Sequence, residues 1–157
     1  MLFFTGATER GAPVEIWLPL LANEHGWVAR DCRVVKARNG QPALQVACST
    51  LFCSISHAVG VTAVAVHARY PIGVDIEPIS RDRDDADLAA LFFPQAGAAT
   101  AAQVDNDHFL TQWTAAEAWL KARGLGVPSL AMAGVEAASR SRPCAVDSWR
   151  EEYDRQA

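Results

Sequence analysis

Acidic residues carry the clearest chemical signal in this chain. Asp75 and Glu77 alternate with aliphatic residues in the run IGVDIE at positions 72–77. A strand over residues 70–77 would place both carboxylates on one face, with Gly73 leaving open space beside them. Two carboxylates placed in this way commonly hold a hard divalent cation such as Mg²⁺. The alternative is a solvated strand end that happens to carry two acids.

A third carboxylate, Glu117, lies within an apolar helical pattern. Residues 107–123 predict a helix with Asp107 as its N-cap and Gly124 as the residue that stops it. A carboxylate in apolar surroundings is costly unless it is paired. Glu117 therefore either joins the other two acids at a cation, or forms an i, i+4 pair with Lys121 worth ~0.2–0.5 kcal/mol.

A serine and histidine motif lies in a stretch without charged residues. Ser54, Ser56 and His57 belong to the run SISH, and residues 39–68 contain no Asp, Glu, Lys or Arg. Two hydroxyls and an imidazole at a strand end could bind a phosphate group. The alternative is a buried histidine that is satisfied by a backbone carbonyl.

The elements that must position these residues alternate between short strands and helices. Residues 1–14 predict an irregular arm or a short edge strand, and Asn39-Gly40 predicts a turn. Further strands are predicted at 27–36, 43–48, 49–56, 61–67, 130–137 and 144–149, further helices at 16–25, 86–93 and 95–103, and an acidic linker at 80–87. This order predicts one α+β domain over residues 1–157, with an N-terminal lobe at 1–69 and a C-terminal lobe at 70–157.

Composition excludes several classes of protein. The chain has 157 residues, 50% of them hydrophobic, and a net charge of −4, which argues against nucleic-acid binding. It contains no apolar run of about 20 residues that would span a membrane, and its N-terminus does not resemble a signal peptide. The four cysteines show no C-x-x-C pair, so free thiols and a cytoplasmic location are expected.

Three motifs, taken in order, resemble one family. They are SISH at 54–57, IGVDIE at 72–77 and FLTQWTAAEAWLKARGLG at 109–126. Together they are similar to the 4'-phosphopantetheinyl transferase superfamily, surfactin-synthetase (Sfp) type. The resemblance implies two similar α+β lobes with an active-site cleft between them. It also implies an Mg²⁺-dependent transfer of phosphopantetheine from coenzyme A to a serine of an acyl or peptidyl carrier protein, with release of adenosine 3',5'-bisphosphate.

The same resemblance implies a role for each motif residue. The metal ligands would be Asp75, Glu77 and Glu117, and Glu117 would also deprotonate the carrier serine, directly or through a water. Ser56 and His57 would contact the 3'-phosphate of coenzyme A. Lys121 would contact its pyrophosphate as a second catalytic residue. The implied activity is that of a holo-[acyl-carrier-protein] synthase in fatty acid or secondary metabolite biosynthesis, acting as a monomer.

Two lysines of the family pattern are replaced in this chain. The family usually has lysine where this chain has Gln41 and Ala116. Loss of two ammonium groups near a pyrophosphate is expected to slow transfer. If both positions face the ligand, lysine there should strengthen coenzyme A binding. The alternative function is a catalytically impaired member that binds a carrier protein or coenzyme A without transfer.

Overall fold

The computed structural model describes residues 2–5, 12–58, 60–79 and 106–125. Within them the elements in chain order are β1 (Leu2–Thr5), α1 (Val14–Glu24), a 3₁₀ turn (Ala29–Asp31), β2 (Cys32–Lys36), β3 (Pro42–Val46), β4 (Ser49–Ala58), β5 (Val61–His67) and α2 (Asn106–Arg123). The strands form one antiparallel sheet in the order β1-β5-β4-β3-β2. The fold is therefore α+β, as the sequence predicts.

Tight turns fix the register of the sheet. Gly40 and Gly60 have positive φ angles of 83° and 75° between β2 and β3 and between β4 and β5, where a glycine costs little. The predicted strand at 27–36 is shorter than expected, because Ala29–Asp31 forms a 3₁₀ turn first. The N-terminal arm supplies an edge strand, β1, which pairs with β5.

One face of the sheet is covered by α1. This helix begins after Pro13 and is followed by Gly26, whose φ of 67° allows the chain to leave the helix. Trp17 and Leu21 are almost fully buried, and they form the main apolar core together with Leu44, Cys53 and Val64. This face is built from apolar packing.

The opposite face is crossed by residues 71–79. The predicted strand at 70–77 is wrong, since residues 71–79 take no part in the ladder of the sheet. Instead, two serine hydroxyls of β4 accept hydrogen bonds from this segment: Ser54 Oγ from the Val74 amide at 3.0 Å, and Ser56 Oγ from the Ile76 amide at 3.4 Å. Side chains replace the strand partner that the backbone would otherwise need.

The predicted alternation within this segment is nevertheless present. Val74 is buried against Ala63 and Ala65 of β5, and Ile72 and Ile76 pack beside it. An extended backbone sends successive side chains to opposite sides. Asp75 and Glu77 therefore leave the segment on the side away from these aliphatic residues.

Helix α2 lies directly on this segment at Gly73. A Cβ atom at position 73 would lie 1.7 Å from the Ala118 carbonyl oxygen and 2.8 Å from the Ala122 nitrogen. The open space expected beside Gly73 is thus filled by the helix backbone. The helix begins at Asn106 instead of after Asp107, and it ends at Arg123, where Gly124 with a φ of 70° stops it as predicted.

The remaining predicted elements lie outside the described residues, namely the linker at 80–87, the helices at 86–93 and 95–103, and the strands at 130–137 and 144–149. Within the described ranges, Cys32, Cys48 and Cys53 carry free thiols. No helix in those ranges is long and apolar enough to cross a membrane.

Candidate functional site

Asp75 is at the centre of the candidate site. Its side chain is only 3% exposed, and its Oδ1 accepts hydrogen bonds from Ser56 Oγ at 2.8 Å and from Lys121 Nζ at 2.6 Å. Its other oxygen, Oδ2, is buried without a hydrogen-bond partner in the part of the chain that the structure describes. A buried acceptor without a donor is costly, and such an atom commonly marks the place of a ligand or ion.

Glu77 is oriented by the helix. The indole Nε1 of Trp113, a buried residue of α2, donates a hydrogen bond to Glu77 Oε1 at 3.1 Å. The sequence gave no reason to expect this contact. The indole limits the directions in which the Glu77 carboxylate can point.

Glu117 of α2 faces Asp75 and Glu77. Burial, the neighbouring carboxylate of Asp75 and a side-chain hydrogen bond with Asp75 together raise the pKa of Glu117 to about 7, with a smaller contribution from Glu77, while Lys121 acts in the opposite direction. A carboxyl group of this kind can hold or release a proton near neutral pH. This property suits a general base.

The structure brings the three carboxylates together. Ligand oxygens of Asp75, Glu77 and Glu117 all lie within 4.8 Å of one another. Three hard oxygen donors at this spacing fit Mg²⁺, and Asp75 Oδ2 is a buried oxygen that such a cation would satisfy. The donor set and the orphaned oxygen both fit a divalent cation.

Lys121 reaches the site from the last turn of α2. Its ammonium group donates to Asp75 Oδ1 and, at 3.0 Å, to Ser56 Oγ, while a third of the side chain stays exposed. The ion pair that the structure shows for this lysine is with Asp75, across the site, and not the i, i+4 pair with Glu117 that the sequence left open. Lys121 therefore belongs to the same site as the three carboxylates.

Ser56 and His57 point to opposite sides of β4. Ser56 is buried against Asp75, whereas His57 is exposed on the face covered by α1. Since Thr62 Oγ1 donates its hydrogen to the Ala12 carbonyl, it accepts from His57 Nδ1 at 2.9 Å. The resemblance paired the two residues at one phosphate, but the structure places the Ser56 hydroxyl in the acidic network.

The structure also shows the surroundings of Ala116 and Gln41, the two positions where the family usually has lysine. Ala116 is 6% exposed on the buried stripe of α2, together with Phe109, Trp113 and Leu120. The expectation that position 116 could carry a ligand-facing lysine conflicts with this burial. Gln41 donates its side-chain amide to the Lys121 carbonyl.

Sequence reasoning did not find the roles of Ser54 and Gln41. A signal for Ser54 was present, because two serines at i, i+2 in an apolar strand share one buried face and need partners there. Gln41 and Lys121 are 80 residues apart in the chain, and no local pattern connects them.

A search of curated proteins finds no match to this chain. A comparison with protein families gives one match, the 4'-phosphopantetheinyl transferase superfamily, over residues 71–156. The matched region is more than half of the chain and contains all three clustered carboxylates and Lys121. It begins at the segment that crosses the sheet and includes the helix that completes the site. Both the matched length and its coincidence with this site show that the chain belongs to the 4'-phosphopantetheinyl transferase superfamily.

Proposed function

We propose that the chain is an Sfp-type enzyme that transfers 4'-phosphopantetheine from coenzyme A to a serine of an acyl or peptidyl carrier protein and releases adenosine 3',5'-bisphosphate. The single observation that carries this proposal is the convergence of three carboxylates, with the Oδ2 atom of Asp75 buried among them. A module that only docks a protein has no need for three converging acids.

In this proposal Asp75, Glu77 and Glu117 hold Mg²⁺. Trp113 supports that role because its indole fixes Glu77, and Ser56 supports it because its hydroxyl fixes Asp75. A divalent cation bound there would withdraw charge from the pyrophosphate of coenzyme A. The two-lobed arrangement with a cleft, divided near residue 70, and a monomeric enzyme are part of the same proposal.

Glu117 is the proposed base. The carrier serine hydroxyl attacks the β-phosphorus of coenzyme A, so that a new phosphorus–oxygen bond forms to the serine. The bond from that phosphorus to the bridging oxygen breaks, and adenosine 3',5'-bisphosphate leaves with the bonding electrons. The serine proton passes to the Glu117 carboxylate, directly or through a water. Without a cation the pKa of Glu117 is about 7, and a divalent cation bound beside it would lower this pKa and keep the carboxylate ionised to accept the proton.

Lys121 and His57 are the proposed phosphate contacts. Lys121 has a partly exposed ammonium group at the edge of the cluster, which can neutralise pyrophosphate charge. His57 is exposed and donates through Nδ1 to Thr62, which leaves Nε2 as the ring atom that can meet the 3'-phosphate. Ser56 contributes by holding Asp75 and Lys121.

Mass spectrometry tests the proposal. The protein is incubated with Mg²⁺, coenzyme A and a set of apo-carrier proteins, and each carrier is weighed afterwards. We expect at least one carrier to gain the mass of one phosphopantetheine group. Glu117→Gln should reduce the rate by about 10²–10⁴-fold, the usual contribution of a general base. The matched control is Glu24→Gln, which alters an exposed acid at the end of α1 and should leave the rate unchanged.

The outcomes separate two functions. If coenzyme A binds but no carrier gains mass, the chain is a binding protein with a transferase fold, and the proposed transfer is wrong. Equal rates for the wild-type protein and Glu117→Gln would contradict the assignment of the base.

A further inference from the structure

The turn between β2 and β3 contacts the end of α2. Asn39 Nδ2 donates to Gln41 Oε1, and Gln41 Nε2 donates to the carbonyl oxygen of Lys121. The Gln41 amide nitrogen also donates to Asn39 Oδ1 at 3.2 Å, which holds the turn in shape. Gln41 thus uses both ends of its side-chain amide, one toward the turn and one toward the helix.

The helix end fits closely against this turn. The Gly124 amide donates to the Lys121 carbonyl at 3.2 Å, so this carbonyl accepts from both the helix end and Gln41. A Cβ atom at position 124 would lie 2.7 Å from Asn39 Nδ2 and 3.0 Å from Gln41 Oε1. The absence of a side chain at Gly124 lets the turn approach the last turn of α2.

The residue held in this way carries the ammonium group of the site. The carbonyl that Gln41 contacts belongs to Lys121, and the ammonium group of the same residue donates to Asp75 Oδ1 at 2.6 Å and to Ser56 Oγ at 3.0 Å. A shift or rotation of the last helical turn would move this ammonium group directly. The hydrogen bond from Gln41 to the Lys121 carbonyl therefore affects where the Lys121 ammonium group lies.

We propose that Gln41 is a positioning residue, which fixes the main chain of Lys121 and thereby aims its ammonium group at Asp75 and at the bound phosphate. The chemistry requires an amide at position 41. Glutamate would lose the donor to the Lys121 carbonyl, and lysine would lose the acceptor for Asn39. The phosphate part of this inference rests on the proposed function, whereas the contact with Asp75 does not.

Chemical labelling of lysine measures the effect directly, because the chain contains only two lysines, Lys36 and Lys121. Lys36 is exposed on β2 and serves as the internal reference. The folded protein is treated briefly with acetic anhydride, and the ratio of acetylation at Lys121 to that at Lys36 is read by mass spectrometry. Gln41→Glu should raise this ratio by about two- to tenfold, the range set by loss of one hydrogen bond.

Matched variants separate positioning from general stability. Gln45→Glu makes the same chemical change on β3, where the side chain accepts from Arg33, and should leave the ratio unchanged. Asn39→Asp removes the donor to Gln41 and leaves the Gln41 side chain itself unchanged, and it should raise the ratio in the same direction but less. If Gln41→Glu does not fold, the acetylation ratio of Asn39→Asp decides whether this turn positions Lys121. A lower melting temperature with an unchanged ratio would overturn the proposal.

Coenzyme A binding measured by calorimetry supplies the second readout. Gln41→Glu should weaken binding in the wild-type background and have no further effect in a Lys121→Met background. Equal effects in both backgrounds would show that Gln41 does not act through Lys121. If the wild-type protein binds no coenzyme A, the proposed function fails, and the labelling ratio alone decides whether Gln41 positions Lys121.

Discussion

Strand β4 presents Cys53 and Ile55 to one side of the sheet and Ser54 and Ser56 to the other. On the first side, Cys53 and Ile55 join the apolar cluster beneath α1. On the second side, both hydroxyls accept backbone hydrogen bonds from residues 71–79, and Ser56 also donates to Asp75. The two sides of one strand thus use different kinds of contact.

The difference shows how the sheet positions the segment that carries Asp75 and Glu77. A segment paired in the ladder would have its amides bonded to a neighbouring strand at the sheet edge. Here serine hydroxyls satisfy two of those amides on the face of the sheet, so the segment lies across β4 and under α2. The apolar side stabilises the fold, and the hydroxyl side determines where the carboxylates stand.

The largest expected loss of stability comes from a substitution on the apolar side of the sheet, beneath α1. Trp17 is 1% exposed within the core under α1, so Trp17→Ala should cost about 3–5 kcal/mol of unfolding free energy. Urea denaturation measures this loss. Divalent-cation affinity, measured on the fraction that remains folded, should not change. A large loss of that affinity would show that the two sides are not separable.

The second largest loss of stability is expected from a substitution at Gly73, on the opposite side of the sheet. Because a Cβ there would lie 1.7 Å from the Ala118 carbonyl oxygen, Gly73→Ala forces α2 away from the segment and should cost about 3 kcal/mol. Unlike Trp17→Ala, it should also weaken cation binding, since Glu117 moves with the helix. Gly26→Ala is the control, because position 26 has no neighbour within 4 Å and suffers only from its positive φ.

The third effect tests the hydroxyl contacts. Ser54→Ala leaves the buried Val74 amide without its acceptor and should cost about 1–3 kcal/mol in urea denaturation. Ser49→Ala changes an exposed residue of the same strand and should cost much less. Equal losses for the two variants would contradict the role of Ser54 in seating the segment.

The smallest effect is a dependence on pH. The folded-state pKa of Glu117, about 7, is above its ordinary value of 4.5, so the stability contributed by the protonated group is present at low pH and lost as pH rises through 7. In EDTA, Glu117→Gln should therefore gain melting temperature relative to the wild-type protein between about pH 5 and about pH 8. A difference between the two proteins that does not vary with pH would contradict this assignment.

Much of this arrangement could be predicted from local pattern. Alternation in residues 72–77 predicted that Asp75 and Glu77 share a side, because an extended backbone alternates with or without a ladder. For the same reason it could not show that the segment has no strand partner. Alternation also separates Ser56 from His57, which the family resemblance had placed at one phosphate. The contacts of Trp113 with Glu77 and of Gln41 with Lys121 join distant parts of the chain, and only the tertiary structure reveals them.

Binding of Mn²⁺, followed by electron paramagnetic resonance, tests the central claim most directly, namely that the three carboxylates form a divalent-cation site. The wild-type protein should bind one Mn²⁺ per chain, with Mg²⁺ competing for the same site. Asp75→Asn should abolish this binding, because it alters the carboxylate that carries the buried, unpartnered oxygen. Asp31→Asn, at an exposed acid before β2, should leave it intact. Absence of binding in the wild-type protein, or undiminished binding in Asp75→Asn, would contradict the account.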